Sequence, residues 1–223
     1  MEQPHGTTLD AERTWSVIAE ERRSLADLLE GLTPAEWESP SLCGRWRIRD
    51  VAAHLALVPH PPSAWQLAVG AVRAGGNFHR LNEETARRHA ELAPDALVAE
   101  LREYAGSRQV PVVTNTANVL FDILVHGQDI AVPLGIDRPM DLAAARGGAD
   151  RVWGMGWPFH ARRRLRGLRL VATDTAWSKG DGPEVRGPIR AHLLALTGRP
   201  AALADLTGPG TSRLAEVLRH GAR

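Results

Sequence analysis

Three side chains in two apolar segments could together bind a divalent cation. Asp122 and His126 are four residues apart, so on a helix they project from one face about one turn apart. They lie in the apolar stretch 119–126, where burying either group unpaired would cost several kcal/mol. His54 lies in a second apolar segment, residues 51–58. Two facing helices of a bundle could bring all three side chains to one ion, as in other metal-binding bundles.

The spacing by itself also fits a second interpretation. A single histidine on an apolar helix face is more often a hydrogen-bonded core residue than a metal ligand. An aspartate four residues before a histidine is a short pattern that occurs often by chance, and the pair could form only a hydrogen bond. On spacing alone, both a metal site and a metal-free polar pair therefore fit the residues.

The elements that position these residues are predicted to be helices. Apolar residues recur at helical spacing, and four principal helices are predicted within about 135 residues. These helices span residues 10–32, 51–58, 95–104 and 115–130, and a polar run from His79 to Leu92 also favours helix. With almost no strand signal, the pattern predicts a helical bundle.

Capping residues and breakers set the predicted helix ends. Thr33 to Glu36 has the pattern of a capping box, with proline at the first helical position, so a short helix is predicted to carry Trp37. Asp50 is predicted to cap the helix that contains His54. The prolines after Val58 should break that helix, residues 63–66 could restart it, and Gly75–Gly76 should break it again.

The pattern changes beyond Pro139. A short helix is predicted over 142–153 and an alternating strand over 168–173. A glycine-rich turn at 179–183, a partner strand at 184–186 and further helices at 188–196 and 212–218 follow. We interpret this part as a small α+β domain, so the predicted domains are residues 1–140 and 141–223.

Composition excludes several classes of function. The 27 basic and 26 acidic residues give a formal charge of +1, unlike the basic excess of a nucleic-acid-binding protein. Lys179 is the only lysine, a bias typical of high-GC genomes such as those of actinobacteria. Cys43 is the single cysteine, so neither an intramolecular disulfide nor a cysteine-based zinc cluster can form. With no signal peptide or membrane-length apolar stretch, we expect a soluble cytoplasmic protein without a membrane or nucleic-acid partner; the oligomeric state stays open.

Two blocks carry a resemblance to a known family. Residues 40–55, PSLCGRWRIRDVAAHL, resemble the P-S-L-C-x-x-W-x-V-x-D-V-A-A-H-L signature of the mycothiol-dependent maleylpyruvate isomerase family. Residues 122–131 are similar to the family's E-x-x-x-H-x-x-D-L motif. Residues 172–177, 182–187 and 196–199 resemble its small C-terminal domain more loosely. The resemblance implies a mainly α fold, with a DinB-like four-helix bundle followed by a small α+β C-terminal domain.

The resemblance also implies a site and a chemistry. The family's metal ligands fall on His54, Asp122 and His126, with zinc as the expected ion, and Asp122 stands where the family has a longer glutamate. Three protein ligands leave a coordination position open, where mycothiol or a similar thiol would bind as a thiolate. The implied function is an isomerase or S-transferase acting on a small electrophilic metabolite. The alternative is a non-catalytic small-molecule-binding protein that retains the fold, which the Asp122 substitution keeps open.

Other residues receive weaker predictions. Asp129, three residues after His126, could orient a ligand, bind the polar part of the thiol or cap the helix. Cys43 is not expected to act as a nucleophile. His60 and His79 are predicted to be solvated loop residues. The tryptophans at positions 15, 37, 46 and 65 are interpreted as packing residues, of which one or two could wall a pocket, and the arginine-rich run 162–166 is interpreted mainly as a solvated face.

Overall fold

The computed structural model describes residues 9–60, 78–111 and 114–221, and it has a mainly helical fold, as predicted. The N-terminal helices are α1 (Ala11–Glu30), α2 (Pro34–Trp37), α3 (Ile48–Leu57), α4 (Phe78–His89), α5 (Pro94–Glu103) and α6 (Thr116–Ala131). The C-terminal elements are α7 (Leu142–Gly154), α8 (Ala161–Arg164), β1 (Arg169–Ala172), β2 (Ser178–Lys179), β3 (Glu184–Gly187), α9 (Ile189–Leu196) and α10 (Thr211–Gly221). Short 3₁₀ turns occupy Val132–Leu134 and Pro200–Asp205.

The N-terminal helices pack as a bundle around an apolar core. Helix α1 packs against α5 and α6, while α3 packs against α4, α5 and α6. Ile18, Leu25 and Leu29 form the fully buried face of α1, at the helical spacing that predicts it. In the described part of the chain, five helices of at least ten residues precede residue 135, because the polar run after residue 78 forms a helix too.

The predicted capping box at Thr33 is confirmed, whereas the predicted cap at Asp50 is wrong. Glu36 accepts the Thr33 backbone N–H at 2.7 Å and Thr33 in turn accepts the N–H of Glu36. Helix α3 begins at Ile48, because the Asp50 carboxylate, at the third helical position, accepts the backbone N–H of Arg47 at 2.9 Å. The predicted breaks and restart at 61–62, 63–66 and 75–76 lie outside the described residues.

The C-terminal part contains a small three-stranded sheet in the order β2-β1-β3. Strand β1 pairs antiparallel with β2, with Leu170 opposite Lys179, and parallel with β3, with Leu170 opposite Val185. The strands predicted around 168–173 and 184–186 are confirmed, but the two-residue strand β2 was not predicted, because it is too short to show alternation. The glycine-rich turn after β2 carries the chain across β1 to its other edge.

Helix α7 lies between the bundle and the C-terminal elements. It packs against α6 on one side and against α9 on the other. Gly148 makes this packing close, since a β-carbon at this position would lie 3.2 Å from the β-carbon of Phe121. The domain boundary between residues 140 and 141 stays a prediction, because α7, the first helix after it, contacts both the N-terminal bundle and the C-terminal elements. Among the described helices, none is both long enough and apolar enough to cross a membrane.

Two glycines with positive φ should differ in how well they accept alanine. Gly135 (φ 68°) ends the 3₁₀ turn after α6, and apart from its chain neighbours no atom of the described residues lies within 4 Å of where its β-carbon would be. Gly180 (φ 77°) lies against the Leu168 carbonyl oxygen, which a β-carbon would overlap. We expect Gly135→Ala to lower the free energy of unfolding by about 1–2 kcal/mol, the cost of left-handed backbone alone. Gly180→Ala should cost about 1–3 kcal/mol more because of the overlap.

Urea unfolding of the two variants beside the wild type measures this difference. Equal losses for the two glycine variants would contradict the close approach of the β2 turn to β1.

Candidate metal centre

Helices α3 and α6 bring His54, Asp122 and His126 together. The His54 Nε2 atom lies 3.2 Å from one Asp122 carboxylate oxygen, Oδ2. The His126 Nε2 atom lies 3.5 Å from the other oxygen, Oδ1. One ligand atom from each residue lies within 4.8 Å of the other two, and the two imidazole centroids are 5.0 Å apart. The three side chains therefore converge on one point between the two helices.

These separations match the donor set of a zinc site. Zinc binds imidazole nitrogens and carboxylate oxygens at about 2.0–2.2 Å, so two tetrahedral ligands lie about 3.3–3.5 Å apart. The two nitrogen–oxygen distances, 3.2 Å to Oδ2 and 3.5 Å to Oδ1, are close to this range. Asp122 reaches both histidines although its side chain is one methylene shorter than the glutamate of the family motif. The donor types and their spacing fit a divalent cation.

The electrostatic surroundings keep Asp122 in the form that binds a cation. Burial alone would raise the pKa of this carboxyl group, but His54, His126 and Arg199 together lower it below its usual value. Asp122 is consequently ionised near neutral pH, and an anionic carboxylate is the state in which aspartate binds metal.

Asp129 and Arg199 orient His126. The Asp129 side chain is fully buried, and its Oδ2 lies 2.8 Å from the His126 Nδ1 atom. Arg199, which follows α9, donates from Nη2 to the same oxygen at 2.6 Å and from Nε to Oδ1 at 3.0 Å. Burial would raise the pKa of Asp129, but Arg199 and His126 lower it to about 2. An ionised Asp129 can only accept hydrogen bonds, so the His126 Nδ1–H donates to it and the Nε2 atom of His126 is directed toward Asp122.

Trp46 forms an aromatic wall beside the two histidines. Its ring lies nearly parallel to that of His126, with centroids 6.2 Å apart and an interplanar angle of 21°. The His54 centroid lies 5.4 Å away. The sequence indicates Trp46 as a packing residue and allows one or two of the four tryptophans to wall a pocket, but nothing in its spacing relates Trp46 to His126.

Cys43 lies close to the centre but is not activated. Its sulfur is within 4.8 Å of ligand atoms of His126 and Asp129. Burial raises the pKa of the Cys43 thiol to about 11, although Arg199 opposes the shift. A thiol with this pKa stays protonated near neutral pH, which agrees with the expectation that Cys43 is not a nucleophile.

The centre opens toward the N-terminal end of α6. Along this helix the side-chain exposure rises from 0% at Asp129 to 11% at His126 and 26% at Asp122. A small molecule would therefore reach the three ligands from the Asp122 side, while Asp129 and Arg199 close the opposite side.

His60 is not the solvated loop residue that the sequence predicts. It follows α3, and its ring packs against Tyr104 with centroids 4.4 Å apart. Its Nε2 atom lies 3.7 Å from Glu100, which also contacts His89 at 2.6 Å. The prediction failed because the packing of α5 against α3 covers this position. The side chains of His79 and Trp65 lie outside the described residues.

Comparison with known proteins places the chain in a family. The sequence profile described as Mycothiol maleylpyruvate isomerase N-terminal domain matches residues 18–131, just over half of the chain. The chain belongs to this family. The matched region contains His54, Asp122, His126 and Asp129, whereas Arg199 lies beyond it.

Solved structures extend the likeness to nearly the whole fold. The crystal structure of the mycothiol-dependent maleylpyruvate isomerase has a TM-score of 0.62 and 16% sequence identity, covering 91% of this chain and 94% of that chain. A histidine-to-alanine mutant of that isomerase gives the same values. At this identity the likeness establishes the fold. No curated protein sequence matches the chain. Family membership and fold together indicate an enzyme of the isomerase class.

We predict strong energetic coupling between Asp129 and Arg199. Arg199→Gln leaves a buried carboxylate without its cation, and Asp129→Asn leaves a buried guanidinium without its anion. Each should lower the free energy of unfolding by about 3–5 kcal/mol. The double variant should lose about 1–3 kcal/mol less than the sum of the two. Urea unfolding measures all three, with the exposed Arg163→Gln as a control that should stay within about 0.5 kcal/mol of wild type. Additive losses would contradict the pairing.

The Asp129 carboxyl group should also make the free energy of unfolding depend on pH below about pH 4. The pKa of Asp129 is near 2 in the folded chain and 3.8 in its usual state. The unfolded chain therefore takes up this proton first as the pH falls, and the stabilisation present above about pH 4 is lost toward pH 2. We expect the wild type to lose free energy of unfolding more steeply over this range than Asp129→Asn, both measured in a chelating buffer. Parallel curves would contradict the lowered pKa.

Proposed function

We propose that the chain is a metal- and thiol-dependent isomerase, with His54, Asp122 and His126 as ligands of a divalent cation, zinc fitting best. The observation that carries the proposal is the convergence of these three donors, whose ligand atoms lie within 4.8 Å of one another beside a partly exposed Asp122 side chain. Three protein ligands with one open position are typical of catalytic rather than structural zinc. Membership of a family named for mycothiol and maleylpyruvate supports the same assignment.

The chemistry follows from a positioned thiol. When bound, a divalent cation favours the deprotonated form of a thiol beside it near neutral pH. The sulfur of the thiol cosubstrate, which we propose to be mycothiol, adds to one carbon of an activated double bond. Rotation about the resulting single bond and expulsion of the same sulfur then restore the double bond in the other geometry. The thiol is regenerated, so no oxidant or reductant is consumed.

The chain's own residues prepare this step. Asp129 accepts a hydrogen bond from the His126 Nδ1–H, and this fixes the direction of Nε2. Arg199 holds Asp129 in place through two hydrogen bonds. Trp46 adds an apolar ring beside both imidazoles. We also propose that residues 141–223 form a domain whose Arg199 completes a centre built on residues 1–140.

Two alternatives make different predictions about the product. An S-transferase would use the same thiol but leave sulfur bonded to the substrate, and a non-catalytic binding protein would release the substrate unchanged. Incubation of maleylpyruvate with mycothiol and the zinc-loaded protein separates the three. An isomerase converts the cis compound to the trans compound without consuming thiol, and failure to do so would reject maleylpyruvate isomerisation.

We predict one zinc ion per chain, bound through the three ligands. Protein purified without chelator should contain stoichiometric metal by inductively coupled plasma mass spectrometry. His54→Ala and Asp122→Ala should each lose most of it, because removing one ligand of three leaves two donors. His220→Ala, which changes an exposed histidine far along the chain, should retain the wild-type content. Retention of metal by His54→Ala would contradict the ligand assignment.

The thiol is tested separately with Co²⁺ in place of zinc. Addition of mycothiol should produce a thiolate-to-cobalt charge-transfer band in the wild type and in His220→Ala. It should produce none in Asp122→Ala. A wild-type spectrum that does not change at millimolar thiol would argue against thiol chemistry at this centre.

A further inference from the structure

A second polar pair lies one turn from the metal ligands, at the mouth of the centre. Asn118 precedes Asp122 by four residues on α6, so its side chain lies near the same helix face, about 6 Å along the axis. Exposure of the ligands increases in this direction. Asn118 therefore lies one turn beyond Asp122, in the direction in which the exposure of these side chains rises.

Asn118 holds the guanidinium group of Arg151. The Nε atom of Arg151, in the last turn of α7, donates to the Asn118 Oδ1 atom at 2.8 Å. Arg151 is half-buried between the two helices. Among the residues that the structure describes, no carboxylate lies within 4.0 Å of this guanidinium, and its Nη1 and Nη2 atoms have no hydrogen-bond acceptor. The positive charge is fixed in direction by a neutral partner, and no carboxylate of the described residues neutralises it.

The other arginine at the centre contrasts with this one. Arg199 makes two hydrogen bonds to Asp129 and a third from Nη1 to the Thr197 carbonyl oxygen at 2.9 Å. The Asp129 carboxylate neutralises the charge of Arg199 inside the fold, on the closed side of the centre. Arg151, in contrast, has no carboxylate partner in the part of the chain that the structure describes.

We infer that Arg151 recognises a carboxylate of the electrophilic substrate at the mouth of the metal centre. The inference rests on the proposed function, since it assigns the substrate class of the same site. The two unused nitrogens of a guanidinium fork match the two oxygens of a carboxylate. A small carboxylic acid bound in this way places its remaining carbons toward Asp122.

A simpler role for Arg151 makes a different prediction. A cation in the last turn of α7 also interacts favourably with the helix dipole, and lysine would serve that role equally well. Recognition by the fork requires arginine, because an ammonium group cannot form the two parallel hydrogen bonds. The Arg151→Lys variant therefore separates the two roles.

Calorimetric titration with maleate tests the inference without turnover. Maleate is a cis dicarboxylate, and maleamide is its neutral counterpart of similar shape. Zinc-loaded wild type and the exposed control Arg163→Gln should bind maleate equally and bind maleamide at least tenfold more weakly. Arg151→Gln and Arg151→Lys should bind maleate about tenfold or more weakly than wild type, the loss expected for a hydrogen-bonded ion pair. Unaltered thermal melting of the variants confirms that they are folded.

Three results would overturn the inference: equal maleate affinity in wild type and Arg151→Gln, full retention of affinity in Arg151→Lys, or no maleate binding by wild type at millimolar concentration. Repeating the titration in EDTA separates this inference from the proposed function. Failure of the protein to bind zinc rejects the proposed metal centre, whereas maleate binding in EDTA that depends on Arg151 would still support the recognition site.

Asn118→Asp provides a second test in which Arg151 stays in place. The new carboxylate would take the place of the Asn118 amide, 2.8 Å from the Arg151 Nε atom, and would neutralise the guanidinium charge. We expect maleate affinity to fall about tenfold, as in Arg151→Gln. Undiminished affinity in Asn118→Asp would show that the free charge of Arg151 is not what binds the carboxylate.

Discussion

The buried ion pair between Asp129 and Arg199 is the interaction on which the rest of the centre depends. It joins α6 of the bundle to the turn after α9, and it lies directly behind His126. Neither charge could be buried alone, because an unpaired ion in the interior costs several kcal/mol. The pair therefore ties the docking of the C-terminal elements to the orientation of the His126 ring. Stability and the orientation of this imidazole share one contact.

The remaining polar groups near the centre differ in how the fold compensates them. Asp122 is placed between two imidazoles, which makes its burial tolerable and also creates the donor set for a cation. Cys43, beside the same histidine, is kept protonated by burial and is chemically quiet. Arg151 hydrogen-bonds to the neutral Asn118 side chain, one turn before Asp122 on α6, and has no carboxylate partner among the described residues. The charges of Asp129 and Arg199, in contrast, neutralise each other.

Local sequence features predicted most of the secondary structure. The helices around Asp122 and His54, the capping box at Thr33 and the strands near residues 170 and 185 follow from periodicity and from side-chain–backbone hydrogen bonds within four residues. Three predictions failed, two for local reasons and one because of a long-range contact. Asp50 acts one turn inside its helix rather than at its cap, β2 is two residues long, and His60 is covered by a helix more than thirty residues away.

The sequence by itself determined the helices, the family and the residues able to bind a cation. Asp122 and His126 share a helix face because of the 3.6-residue period, which needs no tertiary information. Only the tertiary structure decided that His54 meets them, that Arg199 pairs with Asp129 across 70 residues, and that Arg151 meets Asn118 across 33. The reason is physical: periodicity defines which face of a helix is polar. The packing of helix on helix decides which faces meet, and it depends on the shape of the whole core.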